Sequence, residues 1–325
     1  MKIRIFILLA ISIFFVIFSR YRESFAQSKS IDASTITEKT PGYKEYKKMK
    51  FNFSYKEIYK DIEFKNLTVP GTITKWGVEG TANKFIRALR FKDITDAVED
   101  RYNLPRGIIF AMMLEESNGI DLLPNGRGDG GFGLSHIQPA VAVDFSLKVY
   151  CNCPSMVCNG KDSRSCVVNG KKQNHAKKLA DLLEKYKKDR KELIQYDDRL
   201  HPIKNLDAVG RMLACYMDGP RIKGLGPFRT AIRRYAGKYN YEAYWRDVKK
   251  TMNLLEDKKF MESVTVAFEK ENKSLLINGK KGTFNLYIKE SQKMNDNYGL
   301  QEYKKLPKYI PVNSVIVKKT YKNFM

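Results

Sequence analysis

Histidine is scarce in this chain. His136, His175 and His201 are the only three in the sequence, and their spacing fits no set of metal ligands. Neither a glycine-rich phosphate loop nor a helical His-Glu-x-x-His motif is present, which removes the common nucleotide-binding and zinc-protease classes. No internal repeat and no long low-complexity tract interrupts the sequence. Beyond the N-terminus no apolar stretch approaches the roughly 20 residues that a membrane-spanning helix takes. Acidic residues are in deficit too: 36 Asp and Glu stand against 59 Lys and Arg, a formal net charge of +23. That balance suits a polyanionic neighbour. No nucleic-acid recognition motif accompanies it, so anionic envelope polymers are the expected partner. A merely solvated lysine surface is the alternative. Apolar residues make up 43% of the chain, which suffices for a folded core.

The N-terminal segment, Met1 to Ala26, has the pattern of a secretory signal peptide. Lys2 and Arg4 precede an apolar run from Ile5 to Phe18, and Ser24-Phe25-Ala26 offers small residues at a cleavage site. A retained anchor is the alternative. Either way the rest is expected to be exported, to the periplasm or cell envelope. The stretch from Gln27 to Lys75 reads as a polar linker and an N-terminal arm.

Five cysteines follow, four of them close together: Cys151, Cys153, Cys158 and Cys166. In an oxidising compartment that cluster predicts a loop stapled by two disulfides, with three possible pairings. A structural zinc site is the second reading, although the spacing is not the paired C-x2-C type. Cys215 lies in an apolar helical stretch and is expected to be a buried free thiol.

From about Trp76 the hydrophobic pattern is helical. Phe85, Ile86 and Leu89 repeat at helical spacing, as do Ile94, Val98 and Tyr102. Pro105 is placed to open a helix that runs to Ser117 and is apolar on all sides from Ile108 to Leu114. It should be the central buried helix, stopped at Asn118-Gly119. After a loop rich in glycine, helices are expected from Pro139 to about Leu147, Asn174 to Gln195, Asn205 to Met217, Phe228 to Tyr235 and Tyr241 to Leu255. The stretch 150–173 reads as a Cys-rich insertion. From 258 to 325 the alternation of Val264 with Val266, and of Phe284, Leu286 and Ile288, predicts strands. Asn278-Gly279 supplies a hairpin turn.

The candidate chemistry centres on Glu116. It lies on the same helical stripe as Ile109, Met112 and Met113, at the C-terminal end, where the helix dipole disfavours a negative charge. Partial burial adds to that effect. Both favour a protonated carboxyl, as a general acid needs. Glu115, about 100° further round, is expected to face a neighbour or solvent. Asp121 and Asp129, the nearest further acids, read as loop carboxylates with turn-forming roles. His175 and His201 are expected at the surface.

The order of Glu116-Ser117 on an apolar helix, then Gly133-Leu134-Ser135-His136-Ile137-Gln138-Pro139, resembles the lytic transglycosylase domain of the lysozyme-like superfamily. Asn205 to Gly210 and Ala231 to Gly237, followed by Tyr244 and Val248, continue the likeness, which covers about 90–255. The resemblance implies a mainly α, lysozyme-like domain, placed over 76–257; the Cys-rich insertion is not part of the family pattern, and the small β-containing C-terminal extension is read from the residues alone. It implies that Glu116 protonates the glycosidic oxygen between N-acetylmuramic acid and N-acetylglucosamine in peptidoglycan. Glu116 then takes the proton of the muramoyl 6-hydroxyl as a 1,6-anhydro ring closes. The substrate's N-acetyl group assists, so no second carboxylate is obligatory. Tyr235 would orient Glu116. Ser117 and the backbone of Gly133, Leu134, Ser135, His136 and Ile137 would shape the glycan cleft, with Ser135, His136 and Gln138 as candidate sugar contacts. No cofactor or metal is implied. The chain departs from the family pattern where Ser135-His136 replaces Met-Gln and Ala236 replaces Asn. A hydrolytic muramidase and a non-catalytic glycan-binding envelope protein of a secretion or conjugation apparatus are the alternatives.

Overall fold

The unbroken apolar run from Ile108 to Leu114 forms the axis of the molecule. A computed structural model of the chain describes residues 81–122, 130–150, 165–168, 171–174, 181–185, 190–237, 241–272, 276–277 and 279–309. The segments read as a signal peptide and an N-terminal arm, Asp129, Cys151, Cys153, Cys158, His175 and the C-terminal Val315-Ile316-Val317 lie outside them. The fold is mainly helical. In chain order come α1 (Thr81–Leu89), α2 (Lys92–Arg101), α3 (Ile108–Ser117) and α4 (Pro139–Asp144). The strands β1 (Ser165–Val168) and β2 (Lys171–Asn174) follow, then α5 (Arg190–Tyr196), α6 (Pro202–Asp218), α7 (Pro227–Ala236) and α8 (Tyr241–Glu256). Last are α9 (Lys258–Glu271), β3 (Leu276–Ile277), β4 (Lys280–Lys281), α10 (Phe284–Asn297) and α11 (Leu300–Lys304).

Every residue of α3 from Ile108 to Leu114 is buried, and α1, α2, α6 and α8 pack around it. The helix begins at Ile108, later than Pro105 suggests. Its free N–H groups are taken by a side chain instead: Glu99 accepts from Gly107 N and Ile109 N, each at 2.9 Å. Gly107 turns the chain into the helix at φ 79°. At the other end Asn118 adopts the left-handed conformation and its N–H returns to Leu114 O, which is a common way to end a helix. Helix α6 starts earlier than its apolar pattern suggests, because Pro202 occupies its first turn and the His201 ring accepts from Lys204 N. Gly210 lets α6 approach α2; a Cβ there would stand 2.5 Å from the Tyr102 ring and 2.6 Å from Val98. Cys215, on the same helix, is a buried free thiol, and burial pushes it up to about 12.

The C-terminal stretch corrects the sequence reading. The expected hairpin is there: Gly279, at φ 72°, lies between the paired strands Leu276–Ile277 and Lys280–Lys281. The flanking segments, read as strands, are helices α9 and α10. Asp257 accepts from Lys259 N and Phe260 N to cap α9, and Thr283 accepts from Leu286 N to cap α10. Burial follows helical steps: Val264 and Phe268 in α9, and Phe284, Tyr287, Ser291 and Met294 in α10. Val266, which the alternation would place inside, is 65% exposed. So short an alternation fits a helix as well as a strand, and the caps decide. These helices share the core of the preceding ones. Phe260 packs edge-on against Phe85, Tyr287 Oη donates to Ile86 O and Asn295 Nδ2 donates to Arg90 O.

Within the Cys-rich stretch, β1 and β2 form an antiparallel pair that sets Cys166 opposite Gln173. Asn174, expected to open a helix, ends β2 instead. The helix expected to reach Gln195 is described at 181–185 and as α5. Among the described residues no helix is long and apolar enough to cross a membrane.

Glu99 generates a pH prediction. Burial raises its carboxyl from 4.5 to about 7, against the lowering effect of the Gly107 and Ile109 hydrogen bonds. A folded pKa above the unfolded one stabilises fully below the unfolded value, and the benefit is lost as pH rises through the folded value. The buried His201, held neutral by burial, works in the opposite sense, losing stability as pH falls. The clean measurement is therefore the difference between Glu99→Gln and wild type in urea unfolding. Between pH 4.5 and 7 the wild type should lose up to about 3 kcal/mol relative to the variant. A difference that stays constant with pH removes the assignment.

Candidate functional site

Glu116 closes the last turn of α3, and its side chain is 23% exposed. The carboxyl thus sits between core and surface, partly stripped of water at the negative end of a helix. Its neighbour Glu115 points the other way and accepts from Thr251 Oγ1 on α8 at 3.3 Å. Asp121 is buried, with Arg90 Nη2 at 3.9 Å. The two other described carboxyls near this stretch of sequence are therefore engaged elsewhere.

The segment 130–138 stands over Glu116 as a tight loop. Phe132 and Ile137 pair across it as an antiparallel bridge, and His136 N donates to Gly133 O at 3.1 Å. Two residues in this turn have positive φ, Gly133 at 78° and His136 at 45°. That brings His136 Nδ1 to 4.0 Å from Glu116 Oε2.

Three buried side chains from 197–205 hold the loop from behind. Arg199 Nη1 donates to Gly130 O at 2.6 Å and to Ile137 O at 3.0 Å. Its charge is matched by Asp197, with Nη2 at 2.8 Å from Oδ2. Asn205 receives Ser135 N at 3.0 Å and donates to Arg199 O and Phe132 O. On the outer side Tyr235 Oη, from α7, donates to Ser135 O at 3.1 Å. Tyr244, from α8, stands with its ring 6.0 Å from that of Tyr235. Its buried hydroxyl has no hydrogen bond of full geometry, and the Glu116 carboxylate is the acceptor it faces. Burial first, then the charge of Glu116, pushes both phenols well above their usual range. Both remain O–H donors at neutral pH.

The expected site residues thus divide. Glu116, His136 and Tyr235 come together, with Gln138 half-buried at the end of the loop. Ser117 is fully buried and its hydroxyl donates to Met113 O, so it offers no surface to a ligand. Gly133, Leu134, Ser135 and Ile137 are buried as well; their backbone builds the loop, and the side chain of Ser135, expected to touch sugar, is enclosed. Tyr235 holds the loop through Ser135 O, and the charge of Glu116 bears on its phenol. His201, expected at the surface, is fully buried against Tyr298. Proline at the next position opens a helix there, and the ring caps it.

Sequence reasoning did not single out Asp197, Arg199 or Asn205 as loop supports, nor assign Tyr244 a place beside Glu116. An Asp-x-Arg pair next to the helix-opening His201-Pro202 was the available signal, but nothing local points it toward a loop so much earlier in the chain. No described group of three or more His, Cys, Asp or Glu side chains is placed to hold a metal ion.

The loop generates a stability prediction. A Cβ at Gly133 would stand 2.1 Å from Arg199 O and 2.5 Å from Asn205 Nδ2, whereas Gly224 has a similar φ of +79° with nothing within 4 Å. Gly224→Ala should cost only backbone strain, about 1 kcal/mol. Gly133→Ala adds a backbone collision and should cost at least about 3 kcal/mol in urea unfolding. Equal losses at the two sites would show that the loop can yield. Compared with protein-family models, curated proteins and solved structures, the chain matches none.

Proposed function

We propose that this chain is a peptidoglycan lytic transglycosylase in which Glu116 is the single acid and base. The observation that carries the reading is the setting of that carboxyl. It is partly exposed at the end of a buried helix and flanked by two protonated phenols and an imidazole. Such a group can hold a proton and release it to a glycosidic oxygen. Once it has done so, Tyr244 offers a hydrogen bond to the carboxylate left behind. That carboxylate then accepts the proton of the muramoyl 6-hydroxyl as the anhydro ring closes. The order of Glu116-Ser117 and the 133–139 loop supports the same reading. The net charge of +23 favours residence beside anionic envelope polymers, and the segment from Met1 to Ala26 supplies a route of export.

Purified sacculi digested with the protein should release muropeptides with 1,6-anhydro ends, read by mass spectrometry. Products larger by one water identify a muramidase. Glu116→Gln should lower the rate by about 10²- to 10⁴-fold, the usual contribution of a general acid, while sedimentation with sacculi is retained. If wild type and variant both bind sacculi and neither releases muropeptides, the chain is a glycan-binding envelope protein.

A further inference from the structure

The proton on Glu116 has a second holder. We propose that His136 is a positioning residue that shares one proton with Glu116, so that the pair, and not the carboxyl alone, sets the pH range over which the acid is loaded. The proposal rests on the reading of Glu116 as the acid and adds how that acid is kept charged with a proton.

Two independent observations carry it. The first is distance: Nδ1 and Oε2 are 4.0 Å apart, and the imidazole side chain is only 9% exposed. Paired carboxyls that act on opposite faces of a sugar stand roughly 5 to 9.5 Å apart. His136 is beside Glu116, not across from it, so it works through Glu116. The second is backbone strain. His136 sits at φ 45°, a conformation that residues other than glycine adopt at a cost and keep only where the surroundings enforce it. Here they do. His136 N is tied to Gly133 O, Arg199 grips Ile137 O, and Tyr235 and Asn205 hold Ser135 from both sides. The strained residue is the one whose ring meets the acid.

Other titratable groups among the described residues stand around the pair. Tyr235 on α7 and Tyr244 on α8 stay protonated. Tyr216 on α6 bears on Tyr235. Glu115 turns to Thr251. Arg199 behind the loop is neutralised by Asp197. With one proton on the pair, imidazolium–carboxylate and imidazole–carboxylic acid interconvert, and the second form is the productive acid. The proton leaves only at the higher of the pair's two apparent pKa values, above that of an isolated carboxyl.

The test is the pH dependence of kcat/KM on purified sacculi for wild type and His136→Gln. The variant should lose activity at a lower pH on the alkaline side, its half-point falling by about 1 unit or more. A uniform drop with unmoved limbs means a structural role and overturns the proposal. A second arm needs no activity. The His136 imidazole is titrated by NMR in wild type and Glu116→Gln, with His136→Gln assigning the signal among three histidines. Loss of the carboxylate should lower the imidazole pKa by about 1 unit or more; an unchanged titration overturns the coupling. If wild type releases no muropeptides, the enzymatic reading fails on its own and the NMR arm still decides the pairing.

Discussion

The candidate site depends on one buried guanidinium. Arg199 is fully enclosed, and its charge would be prohibitive there without compensation. Asp197 supplies the countercharge, and the loop supplies carbonyls at Gly130 and Ile137 for the donors that Asp197 does not use. The geometry closes only if the loop takes the shape that puts both carbonyls on one nitrogen. Removing one partner from such a pair typically costs about 3 to 5 kcal/mol, so the loop has few alternatives. Rigidity at Arg199 therefore becomes position at His136, and position at His136 becomes the setting of Glu116. The chain of cause runs from the core to the loop.

A second buried charge does for the fold what Arg199 does for the loop. Asp207 on α6 receives the hydroxyls of Tyr102 at 3.0 Å and Tyr303 at 2.5 Å. Arg211 lies at 2.8 Å and Arg101 at 3.5 Å from the same carboxylate. Its partners come from α2, α6 and α11 together with the turn after α2. An unpaired carboxylate at this depth would be intolerable, so the C-terminal helix is drawn against the same core as the first helices. That is why the described residues beyond Asp257 do not stand apart.

What the sequence revealed, and what it concealed, follows from the range of each interaction. Helix α3, its stop at Asn118 and the inner face of α6 were legible because apolar spacing and capping residues are local signals. A place for the 133–138 loop beside Glu116 was expected only through the likeness of two short motifs to a family pattern. The supports of the loop were not. Asp197, Arg199 and Asn205 reach partners far away in the sequence, and no local periodicity records such a contact. The C-terminal error has a different origin. So brief an alternation cannot distinguish a strand from one face of a helix, and the caps at Asp257 and Thr283 carried the better signal. The pairing of β1 with β2 was missed although Asn169-Gly170 stands between them in the sequence, because the cysteines drew the reading toward covalent staples.

Cys215 is the fifth cysteine of a chain whose other four cluster between Cys151 and Cys166. Thiol–disulfide exchange proceeds through the thiolate. Burial on α6 pushes the Cys215 thiol up to about 12, which leaves roughly one molecule in 10⁵ ionised at neutral pH. Enclosure denies that small fraction an approach to any partner. With α6 formed, Cys215 is closed to exchange, so any pairing among the other four would draw on an even number of sulfurs.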